Sequence, residues 1–185
     1  MSDPFFDDVE SKMSKCVEAC RAEFAAIRTG RANAALLDRI HVEAYGQPMP
    51  LKQVAGVSTP DARTIVISAW DKNVVGEIRK AIEKSDLGIT PNIDGATIRL
   101  SVPQLTEERR KELVRVVKKK AEDSRVAVRN VRHHAHDGVK AQLKNGEITE
   151  DDNKRMTDQL QKVTDKYTKE IDALTAAKEK EIMEI

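Results

Sequence analysis

At 185 residues the chain is long enough to bury one core or two small ones. Charged residues make up 34% and aromatic residues only 3%, which excludes a sandwich built on aromatic packing and suits long solvated helices. The formal net charge of +1 conceals an asymmetry: residues 1–28 carry −2, residues 29–104 carry +1 and residues 146–185 carry −4, whereas residues 105–145 hold twelve Lys and Arg against six Asp and Glu, a net +6.

Asp3 or Ser2 can cap a first helix that has Pro4 in its first turn, and Phe6, Val9, Met13, Cys16, Cys20, Phe24 and Ile27 then recur at three- and four-residue steps. The helix is expected to end near Thr29-Gly30, since glycine is the favoured residue for leaving a helix. Cys16 and Cys20 lie four apart on one face, a poor geometry for a disulfide, and read as core thiols.

The texture then changes. Short β-rich runs at 40–44 and 64–68 are separated by Gly, Pro, Asn and Asp and read as strands. Trp70 closes the second run and reads as a packing anchor, because no second exposed aromatic accompanies it as a base-stacking platform would require. Asn73 can cap a short helix through Val74, Val75, Ile78 and Ile82, and Asp94-Gly95 marks a turn into a strand from Thr97 to Val102.

From Thr106 to about Leu143, the residues Leu113, Val116, Val117, Ser124, Val128, Val131, Ala135, Val139 and Leu143 keep a near-heptad step. Such a helix is about 57 Å long. Lys144-Asn145-Gly146 breaks it, Thr149 with Asp152 resembles a capping box, and Met156, Leu160, Val163, Tyr167, Ile171 and Leu174 carry the pattern through a third long helix.

Three helices with one apolar face each cannot stand alone in water, so an α+β architecture follows. Residues 1–29 and 105–185 form a three-helix bundle, and residues 30–104 are a small β/α/β domain inserted between its first two helices. Thr29-Gly30-Arg31 and Gln104-Leu105-Thr106 then make a two-stranded connection able to act as a hinge.

Most chemistries find no support. The eight glycines are scattered singly, with neither a Walker nor a dinucleotide pattern, and the carboxylates fall at solvent-facing spacings, so no catalytic residue is assigned. His133, His134, His136 and Asp137 invite a metal reading but lack a second pair of ligands from elsewhere, so no metal is assigned. No apolar run approaches the ~20 residues of a membrane span, and the acidic N-terminus lacks a signal-peptide pattern, so a cytoplasmic location without membrane contact is expected.

The basic excess is patterned. Arg125, Arg129, Arg132 and His136 follow at steps of four, three and four and so share one helix face, with His133 and Lys140 beside them. Arg109, Arg110, Lys118, Lys119 and Lys120 add charge nearer the start of the same helix. Arg129 and Arg132 have no carboxylate at i−4 or i+4, and arginines unpaired in a row suit phosphates, which guanidinium contacts bidentately. A rigid bundle presenting such a row fits a structured RNA better than a single strand, which needs aromatics.

Several segments carry a family resemblance: Ile27-Arg28-Thr29-Gly30-Arg31-Ala32, Tyr45-Gly46 followed by Pro50-Leu51-Lys52, Trp70-Asp71-Lys72, Asn92-Ile93-Asp94-Gly95, Ile98-Arg99-Leu100, the run from Pro103 to Leu113, and Val126-Ala127-Val128-Arg129-Asn130-Val131-Arg132. In this order and spacing the chain resembles the bacterial ribosome recycling factors over its whole length. The resemblance implies an L-shaped monomer that binds the 70S ribosome and its 50S subunit. With elongation factor G, which consumes the GTP, such a factor disassembles the post-termination complex and releases messenger RNA and deacylated tRNA.

The resemblance also implies contacts with large-subunit (23S) ribosomal RNA by Arg129 and Arg132, and by Arg28, Gly30 and Arg31 at the hinge. Together with the stripe, the expected RNA-binding set is Arg28, Gly30, Arg31, Arg110, Arg125, Arg129, Arg132 and His133. No cofactor or DNA partner is implied. Two departures stand out: His133-His134-Ala135-His136-Asp137 replaces an Arg-Asp-Ala-Asn-Asp common in relatives, and Ala34 stands where proline is common. A helical scaffold for protein clients and an enzyme are the competing classes; the first requires an apolar groove on the bundle and the second a catalytic constellation.

Overall fold

The computed structural model describes residues 3–184, and Ser2, one of the two expected helix caps, lies outside them. The chain divides into two compact units, one running up to Phe24 and resuming at Glu112, the other spanning Ala25–Lys111.

The first unit is helical. Helix α1 (Pro4–Ala25) is capped by Asp3, whose Oδ1 accepts from the Phe5 amide at 3.0 Å. Its buried face is Phe6, Val9, Met13, Val17, Cys20 and Phe24, so Val17 takes the core position expected for Cys16, which is half-buried. The helix ends at Ala25, earlier than Thr29-Gly30, and Ile27 lies beyond it. Burial pushes both thiols up, which keeps them protonated and unreactive.

Helix α3 (Glu107–Lys144) buries Leu113, Val117, Ala121, Val128, Ala135 and Val139. Val116 is 39% exposed, and the core continues from Val117 one turn on to Ala121, too small to stand out in a hydrophobic pattern. Gly146, at φ +74°, follows α3, and α4 (Glu150–Met183) opens with the capping box: the Asp152 amide donates to Thr149 Oγ1 at 3.1 Å and the Thr149 amide to Asp152 Oδ2 at 3.3 Å. The Thr149 amide, and after it the Thr149 hydroxyl, hold the Asp152 carboxyl below its usual range.

Side chains tie the three helices together. Lys120 of α3 donates to Glu23 of α1 at 3.3 Å, while Lys166 and Tyr167 of α4 reach Glu10 of α1 at 3.3 and 3.4 Å. Arg125 and Arg132 of α3 meet Asp172 and Gln161 of α4, so rising numbers on α3 meet falling numbers on α4 and the two helices run antiparallel.

The second unit holds two sheets and one helix. Strands β1 (His41–Ala44) and β2 (Gln47–Pro50) form a hairpin whose two loop residues, Tyr45 and Gly46, both have positive φ, as a two-residue turn of right-handed strands requires. Strands β3 (Ala55–Asp61), β4 (Thr64–Ala69), β5 (Pro91–Asp94) and β6 (Thr97–Ser101) form an antiparallel sheet in the order β3-β4-β6-β5. Helix α2 (Val75–Lys84) packs Val75, Ile78 and Ile82 into a core shared with Leu37, Val42, Ile65, Ile67, Ile98 and Leu100.

The cap before α2 is Asp71 rather than Asn73. Its Oδ1 accepts from the Asn73 amide at 2.9 Å and starts a short 3-10 turn, Lys72–Val74, which runs into the helix. Trp70 is 69% exposed and so is not the packing anchor expected of it; Tyr45, also 69% exposed, stands near by with its hydroxyl donating to Asp71 Oδ2 at 2.9 Å. The side-chain bond to Asp71 raises the Tyr45 phenol, and the Asn73 amide followed by the Tyr45 hydroxyl lowers Asp71.

Candidate nucleic-acid interface

Arg125, Arg129, Arg132 and His133 all lie on α3 within the helical unit, and of the two arginines without a carboxylate at i±4, Arg129 is nevertheless ion-paired while Arg132, among the described residues, is not. Arg125 is held twice over. Its Nη2 and Nε lie 2.7 and 2.8 Å from Asp172 Oδ1 on α4, and its Nη1 lies 3.3 Å from Glu122 Oε2, leaving the side chain 22% exposed. Burial lowers the Arg125 guanidinium, but the bond and charge of Asp172 outweigh it and leave it more firmly protonated than usual.

Arg129 pairs with the other oxygen of the same carboxylate, Nη1 to Glu122 Oε1 at 3.0 Å. Glu122 sits seven residues back, two turns along the same face, which a search at i±4 does not reach. The Arg129 and then the Arg125 hydrogen bonds hold Glu122 below the usual carboxylate range. Arg132 donates from Nη1 to Gln161 Oε1 on α4 at 2.9 Å, and Gln161 in turn donates from Nε2 to Asp165 Oδ1 at 2.9 Å.

These contacts rank the row by availability. A guanidinium carries five N–H donors in a planar fork. Arg125 spends its donors on two carboxylates and is mostly covered, whereas Arg129 and Arg132 each make one hydrogen bond within the protein and retain the rest of the fork. Arg132 also has no carboxylate partner among the described residues, only a neutral amide, so its charge is the least compensated of the three. His133 lies at the exposed edge, its Nε2 3.8 Å from Asp137 Oδ2.

Arg28, Gly30, Arg31 and Arg110 belong to the other unit. Arg28 is half-buried, Arg31 is exposed, and the Nε of Arg110 is buried without a hydrogen-bond partner. Gly30 adopts φ +82°, and a Cβ there would lie 3.6 Å from both Cγ and N of Leu105, so the segments 29–31 and 104–106 run side by side within this unit. Thr29 is buried at 7% exposure, while Gln104 and Thr106 are exposed. Among the described residues, no three of His, Cys, Asp and Glu come together as a metal-ligand set, and no helix is long and apolar enough to cross a membrane.

The sequence model of the ribosome recycling factor family matches residues 20–183. The chain belongs to the ribosome recycling factor family. The ribosome-recycling factor of Desulforamulus reducens is 56% identical over 176 residues, covering 95% of each chain, and that of Halalkalibacterium halodurans is 52% identical over 185 residues, covering all of both. A solution structure of a ribosome recycling factor matches the whole of both chains with a TM-score of 0.79 at 45% identity. A second structure, from models of the T. thermophilus ribosome recycling factor and the E. coli elongation factor G bound to the E. coli post-termination complex, matches 97% of both chains with a TM-score of 0.68 at 44% identity.

Residues missed by the sequence reading are those that organise the arginines of α3: Glu122, Asp172 and Gln161. A signal for the last two existed in the heptad positions of α4, but using it requires the antiparallel register of α3 and α4, which one chain's pattern does not supply.

Proposed function

We propose that this chain acts after termination, together with elongation factor G and its GTP, to take apart the post-termination ribosome so that the subunits, messenger RNA and deacylated tRNA are released. Its own part is binding and positioning, with no catalytic group and no cofactor, as a monomer in the cytoplasm. The bundle docks on large-subunit ribosomal RNA through α3. Arg129 and Arg132 make the phosphate contacts, Arg125 stiffens the face that carries them, and His133 extends it. Arg28, Gly30, Arg31 and Arg110 form a second contact region, and the paired segments 29–31 and 104–106 are the hinge between residues 1–29 with 105–185 and residues 30–104.

The observation that carries this reading is the unspent guanidinium fork of Arg132 on a rigid helix face, in a chain that resembles recycling factors along its whole length. Ribosome binding through phosphates must weaken steeply with salt, with log K falling linearly in log salt concentration. The test is polysome breakdown reconstituted with and without elongation factor G and GTP, with 50S binding measured across a salt series. Breakdown only when all components are present, and 50S affinity that falls with salt, are expected; breakdown by the chain alone would overturn the partner-dependent mechanism.

One observation favours a second reading, a scaffold for protein clients. A groove of about 440 Å³ between α1 and α3 has Phe5, Val9, Val131 and Ala135 along it, with Asp8, Lys12, Asn130 and His134 among the same lining. Apolar docking there would be insensitive to salt or strengthened by it, the opposite of the phosphate reading.

A further inference from the structure

The four-stranded sheet sends Ile65, Ile67, Ile98 and Leu100 into the core it shares with α2, and its opposite face is open. Because side chains alternate along a strand, the register lays the remaining residues in rows across that open face. One row is Gly56, Ser68, Thr97 and Asp94, and the next is Ser58, Val66, Arg99 and Asn92. Every member is exposed or half-buried, and Val66 is the one aliphatic side chain among them. Trp70 follows Val66 and Ser68 at the same two-residue step, just past the end of β4, and so stands on this face. Its diagonal neighbour is Gly56, which has no side chain, and the indole Nε1 lies 3.7 Å from where a Cβ of Gly56 would be. The ring therefore lies low over β3, 69% exposed, and its N–H makes no hydrogen bond among the described residues.

The composition of this face narrows what can cover it. The core of a protein interface is about two-thirds apolar, and here one valine and one indole are all the large apolar area on offer. The face presents instead the hydroxyls of Ser58, Ser68 and Thr97 and the amide of Asn92, none of them bonded within the described residues. Arg99 in the middle is exposed and makes no hydrogen bond or ion pair among the described residues; Asp61, whose carboxyl is lowered chiefly by the Arg63 amide, feels its charge only weakly. Unpaired nucleotides use each of these groups: a bare ring for a base to stack on, donors and acceptors for base edges, and a guanidinium for phosphate. The Asp94 carboxylate at the β5 edge can accept from an exocyclic amine. We propose that this open sheet face binds a short stretch of single-stranded RNA, with one base stacked on Trp70 and a phosphate held by Arg99. One ring supports one base, so the stretch is about two or three nucleotides. This seat belongs to the second unit and does not depend on the arginines of α3.

Trp70 is the chain's single tryptophan, so its emission reports on this face alone. The full chain is titrated with random-sequence hexaribonucleotides across a potassium chloride series, and saturable quenching of Trp70 is expected. Arg99→Gln should weaken it about fivefold and lower the salt slope by about one, as loss of one phosphate contact does. Ser68→Glu, which sets a carboxylate in the middle of the face, should weaken it about tenfold. Both positions are exposed, so thermal melting followed by circular dichroism should match wild type. Absence of quenching, or quenching that neither substitution alters, would overturn the proposal. A protein occupant is read out by p-benzoylphenylalanine placed at Asn92 and irradiated on 70S ribosomes with which the chain co-sediments. Cross-links to RNA are expected, and cross-links to a ribosomal protein instead would overturn the RNA assignment. Failure to co-sediment would overturn the ribosome-binding reading, while the hexaribonucleotide titration still decides this one.

Discussion

The guanidinium of Arg125 on α3 and the carboxylate of Asp172 on α4 meet through two contacts to the same oxygen, Nη2 at 2.7 Å and Nε at 2.8 Å. This pair joins two helices, so its first duty is to the bundle rather than to a ligand. Arg125→Ala is expected to lower the stability of the helical unit by about 1–2 kcal/mol, measured by urea denaturation followed by helical circular dichroism. Its 50S affinity, measured where the variant is fully folded, should fall less than that of Arg132→Ala. A larger loss of affinity in Arg125→Ala than in Arg132→Ala would place Arg125 in direct contact with RNA.

One carboxylate, Glu122, accepts from both Arg125 and Arg129, so on the proposed docking face it is the charge that would oppose a phosphate. Glu122→Gln should tighten 50S binding about threefold at low salt, in keeping with the fraction of a kcal/mol an exposed pair is worth, and the gain should vanish at high salt. The pH dependence has a definite sign. Because its partners lower Glu122, its charge persists at neutral pH and is lost only as pH falls through a value below the usual carboxylate range, so the difference between variant and wild type should be flat around neutrality and shrink in acid. Equal affinities at low salt would show that Glu122 does not restrain Arg129.

The parts of this structure legible in the sequence are those with strong periodicity and buried faces. The long helices declare themselves, as do β4 and β6, the two central strands of the four-stranded sheet, through Ile65, Ile67, Ile98 and Leu100. The strands that escaped are β3 and β5 at its two edges and β2 in the hairpin, which contain Pro60, Pro91, Pro48 and Pro50 and are largely exposed. Proline is tolerated at an edge because no neighbour needs its amide, so the residue that argues against a strand in the interior is silent about one at the margin. The interface follows the same logic: the row Arg125, Arg129, Arg132 is a property of one helix and could be read, whereas the neutralising Asp172 and the amide of Gln161 come from another helix whose register is a property of the packed bundle.

Lys178 on α4 is 6% exposed, with Nζ 3.5 Å from Glu181 Oε2. Burial lowers its ammonium below the ordinary value of 10.5, and the Glu181 charge only partly restores it. Between that lowered value and 10.5 the unfolded chain holds a proton that the folded chain has released, so Lys178 makes stability rise with pH across this window. Lys178→Met should stabilise the helical unit by about 1 kcal/mol at neutral pH and remove that rise, both measured by urea denaturation between pH 7 and pH 10.5. A destabilised variant would show that the Lys178–Glu181 pair is worth more than the desolvation it costs.

Gly30 combines a left-handed backbone, φ +82°, with a close neighbour in Leu105. A Cβ at this position would sit in ordinary contact at 3.6 Å, so space does not demand glycine; the backbone angle does. An L side chain in this region costs about 1–2 kcal/mol, and Gly30→Ala is therefore expected to lower the stability of the second unit by that amount or to shift the segment 29–31 toward negative φ. The two outcomes separate in function. If the segment holds its conformation, recycling should be retained once the lost stability is offset by lower temperature. If the segment shifts, polysome breakdown should fall while 50S binding, proposed to rest chiefly on the arginines of α3, stays within about twofold of wild type, the range expected of a substitution that removes no phosphate contact. Polysome breakdown and 50S binding measured on the same preparation distinguish these cases, and a parallel loss of both would mean that the contact region around Gly30 carries as much of the docking as the arginines of α3, and would remove the case for a separate hinge role.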